Sequence, residues 1–279
     1  MREIHVNDLA GTIERLFVEA NRELSHEMLI CLADAVEREE SPQGKEILRE
    51  LVENAAIARE QSLPICQDTG LAVTFLEIGQ DVHFTGGDLE TAVNEGVRRA
   101  YREGYLRKSC CHPFSRRNTG DNTPAILHTK IVPGDTVKVT VLPKGGGSEN
   151  YGEVRMLTPS QGREGVISFV VEMVTKGGPN PCPPLIVGVG IGGNLETAAL
   201  LSKEALMIKA GERSKDSDVA LLETELCDRI NATGIGPQGY GGRITALDVH
   251  VVMRPCHLAS LPVAVNIQCH AHRIGEAII

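Results

Sequence analysis

Apolar residues recur every three or four positions in "NDLAGTIERLFVEANREL" and again in "SPQGKEILRELVENAAIARE", the spacing that lines one face of a helix. Ser41 before Pro42 supplies a cap followed by proline at the first helical position. Residues 1–60 therefore read as a helical N-terminal subregion. Beyond it, "LAVTFLEIG" reads as a strand and "DLETAVNEGVRRAYREG" as a helix capped by Asp88. "AILHTKIV" and "DTVKVTVLP" alternate on either side of "PGD" and predict a β-hairpin. "GREGVISFVVEMVTKGG" predicts a helix closed by glycines. "PLIVGVGIGG" is an unbroken apolar run, expected as a strand buried on both faces. Two helices, "NLETAALLSKEALM" and "SDVALLETELCDRINATG", and two strands, "ITALDVHVVM" and "LPVAVNIQC", complete the chain. No sequence repeat, low-complexity tract or linker interrupts it. The expected fold is α+β, with mixed and antiparallel sheets surrounded by helices, in a single domain over residues 1–279.

Composition narrows the function classes. A hydrophobic share of 42% and a charged share of 23% are those of a globular protein. Trp is absent and aromatic residues make up 3%, which leaves little surface for stacking on bases. A net charge of −9 argues against a nucleic-acid partner, because such affinity comes mainly from neutralising phosphates. It leaves a small anionic substrate open, since a few local cations outweigh a distant net charge. No stretch is apolar enough to span a membrane, and the opening "MREIHVNDLAGTIERLF" has no apolar signal region. A cytoplasmic location with reduced thiols is expected. Of eight cysteines, Cys31 and Cys227 fall inside amphipathic helical patterns and read as packing residues.

Cys66 in "LPICQDTGL", Cys182 in "NPCPPL" and Cys269 in "NIQCHAHR" stand apart, each at a turn or strand edge beside proline, glycine or a polar cluster. They lie too far apart along the chain for a local CxxC finger. Converging, they would suit an iron–sulfur cluster with one iron lacking a protein ligand; buried or structural-metal thiols are the plainer alternative. Cys110 and Cys111 are adjacent, so at most one of them faces a common site from a strand. Asp68 beside Cys66 is placed either for proton transfer or for an Asx-turn onto its own backbone. "KGGGSEN" is either an anion-binding nest or a flexible connection, and it lacks the rest of a P-loop. "GIGPQGYGG" follows a helix, so it is no dinucleotide fingerprint. Arg107 in "LRKSCCHP" matters if its fork meets a carboxylate, and His257 in "RPCHLASLP" is either a core histidine or an acid–base partner for Asp68.

Taken together, "PICQDTG", "LRKS", "KGGGSEN", "NPCPPLIVGVGIGG", "GIGPQGYGG" and "QCHAHR" resemble, in order and spacing, the α subunit of two-subunit class I fumarate hydratase, a close relative of L-tartrate dehydratase α. The resemblance covers essentially the whole chain. It implies that Cys66, Cys182 and Cys269 ligate a [4Fe-4S] cluster serving as a Lewis acid. It implies catalytic roles for Asp68 and His257, and substrate contacts for Gln67, Arg107 and Gly145. The implied reaction is reversible hydration of fumarate to L-malate, a tricarboxylic acid cycle step. "KGGGSEN" resembles the fumarate branch; L-tartrate or mesaconate are the alternative substrates. The chain ends shortly after Cys269, where single-chain members continue into a second domain, so a separate β subunit and a higher-order α/β oligomer are expected. A metal-stabilised, non-catalytic interaction subunit is the rival of another class.

Overall fold

The first helical stripe becomes α1 (Val6–Arg22) and the Asp88-capped stripe becomes α4 (Leu89–Glu103) in a computed structural model that describes residues 1–279. Contacts group the chain into two compact units. The first comprises residues 1–24, 55–146 and 273–279, the second residues 25–54 and 147–272.

In the first unit, β2 (Leu71–Gly79), β4 (Ile126–Val132), β5 (Val137–Lys144) and β10 (Gly275–Ile278) form a sheet of order β10-β5-β2-β4. A small parallel pair, β1 (Arg2–His5) with β3 (Val82–Thr85), lies beside it. The stripe Leu9, Ile13, Leu16 and Phe17 of α1 packs with Val93, Val97 and Tyr101 of α4 and with Val137, Val139 and Val141 of β5. The expected hairpin around "PGD" does not form. β4 runs parallel to β2, β5 runs antiparallel to it, and β2 lies between them. The reason is burial. β2 is buried along nearly its whole length and needs neighbours on both sides, whereas β4 has no fully buried position and suits an edge. Alternation fixes a strand but not its partner.

In the second unit, β6 (Glu153–Leu157), β7 (Leu185–Gly193), β8 (Ala246–Cys256) and β9 (Leu261–Gln268) form a sheet of order β6-β9-β7-β8. Around it lie α2 (His26–Arg38), α6 (Gly162–Gly177), α7 (Leu195–Ala205) and α8 (Ser217–Asn231). α3 (Pro42–Glu60) contributes residues to both units. β7 is buried on both faces, as expected. Its Leu185, Val187, Val189 and Ile191 enter a core with Phe169 and Val170 of α6 and Leu226 and Ile230 of α8. Its other face is glycine, and a Cβ at Gly188 or Gly190 would overlap the carbonyls of Ser202 or Ala198, so α7 lies directly on the strand.

The two sheets share one plan. A central strand, β2 or β7, is followed by helix and then by a parallel edge strand, β4 or β8. The chain then crosses the end of the central strand and returns as an antiparallel neighbour, β5 or β9. A fourth strand, β10 or β6, pairs antiparallel outside that neighbour. In each unit the start of the central strand therefore meets the end of the antiparallel one: Leu71 pairs with Lys144, and Ile186 with Gln268.

One buried carboxylate fastens the second unit. Glu39, 1% exposed, accepts the backbone N–H groups of Glu40, Ser41, Arg243 and Ile244 at 2.8 to 2.9 Å. Burial alone would raise its pKa, but these four donors outweigh it and hold the carboxyl below the usual range. Its stabilisation is complete above the unfolded-state value of about 4.3 and is lost as pH falls through the lower folded value. Glu39→Gln is expected to cost about 2 kcal/mol in urea denaturation at neutral pH. That difference should shrink as the pH falls below about 4, where the wild-type carboxyl is also neutral.

Candidate functional site

The corner of the first unit is built by the turn that leads from α3 into β2. Cys66 is half-buried there, Gln67 exposed and Asp68 half-buried, while Thr69 and Gly70 are enclosed. The Asp68 N–H points at Cys66 Sγ at 3.4 Å. Asp68 Oδ1 accepts the Gly70 N–H at 3.0 Å, so the Asx-turn does form. It uses only one carboxylate oxygen. The other, Oδ2, reaches across the corner and accepts the Gly146 N–H at 2.8 Å. The "KGGGSEN" stretch is thus no flexible loop: it leaves β5 at Lys144 and turns at once into α5 (Gly146–Glu149).

Long-range contacts keep this turn rigid. Tyr101 of α4, wholly buried, places its hydroxyl 2.8 Å from the Thr69 carbonyl and 2.9 Å from that of Gly70. Burial pushes its phenol pKa well up, so it stays protonated and donates. Asn122 donates to the Gly70 carbonyl at 3.1 Å and accepts the N–H groups of Ser109 and Cys110 at 2.7 and 3.0 Å. The Thr69 hydroxyl donates to the Arg107 carbonyl at 3.0 Å. Arg107 is therefore fixed to the corner by its backbone, with an exposed side chain. Gly145 is enclosed: a Cβ there would sit 3.3 Å from Asp68 Oδ2 and 3.5 Å from Arg273 Nη2.

The same corner of the second unit holds two of the cysteines. Cys182 is exposed between Pro181 and Pro183 and adopts φ 57°, a left-handed conformation that costs a side-chain-bearing residue on the order of 1 kcal/mol. Its carbonyl accepts the His270 N–H at 3.3 Å, which ties its loop to the segment carrying half-buried Cys269. Gln238, from "GIGPQGYGG", donates to the Pro183 carbonyl through its backbone at 2.8 Å and its side chain at 2.6 Å, and lies 3.2 Å from His270 Nδ1. That glycine-rich stretch is a brace for the "CPP" turn.

His257 is placed elsewhere. It sits exposed on the connection from β8 to β9, where its Nδ1 accepts the Ala259 N–H at 3.2 Å. The full length of β9 lies between it and Cys269, about 25 Å at strand rise.

Within neither unit do three His, Cys, Asp or Glu side chains gather as a metal-binding set. Burial sets two of the eight thiols aside. Burial, then the nearby Asp248 charge, pushes the Cys227 thiol up to about 11, and burial also raises that of Cys31; both suit packing rather than thiolate ligation. Cys66 in the first unit and Cys182 and Cys269 in the second lie outside the cores, as Cys110, Cys111 and Cys256 do, on turns braced by hydrogen bonds, and a thiol of that kind is the donor type an iron–sulfur group takes. Tyr101, Asn122, Gln238 and Arg273 were not singled out from the sequence. The one signal for them was position: Tyr101 on the apolar stripe of α4, Gln238 in a glycine-rich stretch and Arg273 in "QCHAHR".

A protein of Methanocaldococcus jannaschii, provisionally named L(+)-tartrate dehydratase subunit alpha, is 41% identical over 271 residues, covering 95% of each chain. The L(+)-tartrate dehydratase subunit alpha of Escherichia coli O157:H7 is 32% identical over 278 residues, covering 98% of this chain and 91% of its own. The family model described as fumarate hydratase (Fumerase) matches residues 10–278, and the chain belongs to that hydro-lyase family.

Proposed function

We propose that this chain is the α subunit of a hydro-lyase that reversibly adds water across the double bond of fumarate to give L-malate. The observation that carries the reading is the Asp68 carboxylate, anchored through Oδ1 to its own turn and through Oδ2 to the glycine stretch. Cys66, Cys182 and Cys269 would hold a [4Fe-4S] cluster. Bound there, it would supply a Lewis acid that eases departure of a hydroxyl from carbon, with no net redox change.

The chain's own residues do the rest. Asp68, half-exposed and held at both oxygens, gives or takes the proton on the hydroxyl side. The exposed Arg107 guanidinium, on a backbone pinned by Thr69, grips a substrate carboxylate and holds its growing charge. Gly145, without a side chain, keeps clear the position from which a Cβ would press on Asp68 Oδ2 at 3.3 Å, and exposed Gln67 offers a further polar contact. The Gly146 N–H is engaged by Asp68, so the carboxylate charge falls to Arg107 more than to a nest. His257 was expected as the acid–base partner; at the far end of β9 from Cys269, it is assigned no step in this reading.

A β subunit completes the site in this proposal, in keeping with relatives named "subunit alpha". The same names favour a second reading, dehydration of L-tartrate. The α/β complex, purified without air, should be assayed with fumarate, L-tartrate and mesaconate. Fumarate is expected to lead in kcat/KM by at least about tenfold, a preference worth about 1.4 kcal/mol. A lead for L-tartrate establishes the second reading, and full activity of β alone makes this chain a non-catalytic subunit.

A further inference from the structure

Arg273 is the largest wholly buried side chain in the protein, 1% exposed, and it forms no ion pair. Its Nη1 donates to the Asp68 carbonyl at 2.6 Å and to Asn21 Oδ1 at 3.0 Å, while its Nε has no partner. A buried guanidinium with no carboxylate in direct contact is costly, and an apolar side chain would fill the same space with less penalty. Packing alone does not account for it. What it touches does.

Asn21 is itself fixed in α1: its Nδ2 donates to the Phe17 carbonyl at 2.9 Å, and its own carbonyl accepts the Ile65 N–H at 2.9 Å, one residue before Cys66. Arg273 therefore ties the helix to the main chain of Asp68, between the two anchors of that carboxylate. Its Nη2 and Asp68 Oδ2 both flank Gly145, 3.5 and 3.3 Å from where a Cβ would stand. A main-chain shift at Asp68 would move both oxygens at once, and small misplacements of a reacting group cost far more in rate than in stability.

We propose that Arg273 is the positioning residue for Asp68, holding its backbone so that the carboxylate keeps one orientation at the Gly145 corner. This rests on the hydro-lyase reading above. Both bonds leave the one planar Nη1, and lysine keeps the charge on a shorter reach with a tetrahedral ammonium, so Arg273→Lys separates geometry from charge.

The test uses the anaerobic α/β complex with Arg273→Lys, Arg273→Ala and Asp68→Asn. Arg273→Lys is expected to lower kcat about a hundredfold with KM changed less than about threefold. Guanidinium ion at millimolar concentration should restore Arg273→Ala by at least about tenfold and do nothing for Asp68→Asn. Hydrogen exchange of the peptide spanning residues 144–150 should quicken in Arg273→Lys, since the Gly146 N–H depends on Asp68. Unchanged kcat with only a lower melting temperature overturns the proposal, as does unchanged exchange. If the wild-type complex turns over none of the diacids, the hydro-lyase reading fails and the exchange comparison alone decides Arg273. If Arg273→Ala does not fold, Arg273→Lys carries the test.

Discussion

Asp68→Asn is expected to leave the fold and the iron content of the α/β complex intact while cutting turnover by at least about a thousandfold. Asparagine is nearly isosteric and its carbonyl oxygen can still accept the Gly70 N–H, so the Asx-turn survives. It has only one such oxygen. The amide –NH2 would then face the Gly146 N–H, donor against donor, and the corner between the turn and the glycine stretch opens. More decisively, an amide neither accepts nor releases a proton near neutral pH. Iron should remain, because Cys66 keeps its place on the turn held by Tyr101 and Asn122. The checks are single-turnover and steady-state rates, iron analysis and melting temperature on one preparation. Activity within about tenfold of wild type would return Asp68 to a purely structural turn.

The parts legible in the sequence were those governed by local physics. β7 was readable because a short run of β-branched residues and glycines has one stable setting, between two covered faces. The caps of α3 and α4 were readable from Ser41 ahead of Pro42 and from Asp88. Strand partners were not. "AILHTKIV" and "DTVKVTVLP" satisfy every local rule for a hairpin, yet β2 takes the place between them because it is the more thoroughly buried strand. The common plan of the two sheets left no trace as a sequence repeat, since one central strand begins "LAVTF" and the other "LIVGV". Only their hydrogen-bond order matches.

The candidate site divides the same way. Asp68 advertised itself beside a cysteine and two turn-forming residues. Tyr101, Asn122 and Arg273 act on that turn from 31 to 205 positions away, and no local pattern marks such partners. The pairing of Asp68 with His257 came with the family resemblance, and no local pattern speaks to it: Asp68 stands on the turn before β2 and His257 on the connection from β8 to β9. The shared sheet plan is the more useful guide. It puts Cys66 and Asp68 before β2 and Gly145 and Gly146 after β5, and in the second unit Cys182 before β7 and Cys269 after β9. Chemistry-bearing residues cluster at the same corner of both sheets, where main-chain groups end their ladders and side chains gain fixed directions.

That placement makes the thiols separable by experiment. Cys182→Ser should strip most of the iron from the complex and abolish turnover, whereas Cys110→Ser should retain both. Cys182 is exposed, held in a left-handed conformation between prolines, and tied through its carbonyl to the Cys269 segment. Its direction is set by backbone, and serine preserves that backbone while replacing a soft thiolate donor with a hard hydroxyl that iron–sulfur cores bind poorly. Protein stability without iron should change by less than about 1 kcal/mol, because an exposed Sγ contributes little packing. Cys110 is different: its N–H is held by Asn122, and what it gives to the corner is backbone, which serine supplies equally well. Cys227→Ser completes the comparison, since its buried thiol with a pKa near 11 packs in the core with Leu226 and Ile230, and its loss should lower the melting temperature without touching iron. Iron per complex, visible absorption and melting temperature, measured together for the three variants, distinguish ligand, corner backbone and core. Equal iron loss at Cys182 and Cys110 would mean that the cluster, and with it the hydro-lyase chemistry proposed here, rests on other thiols.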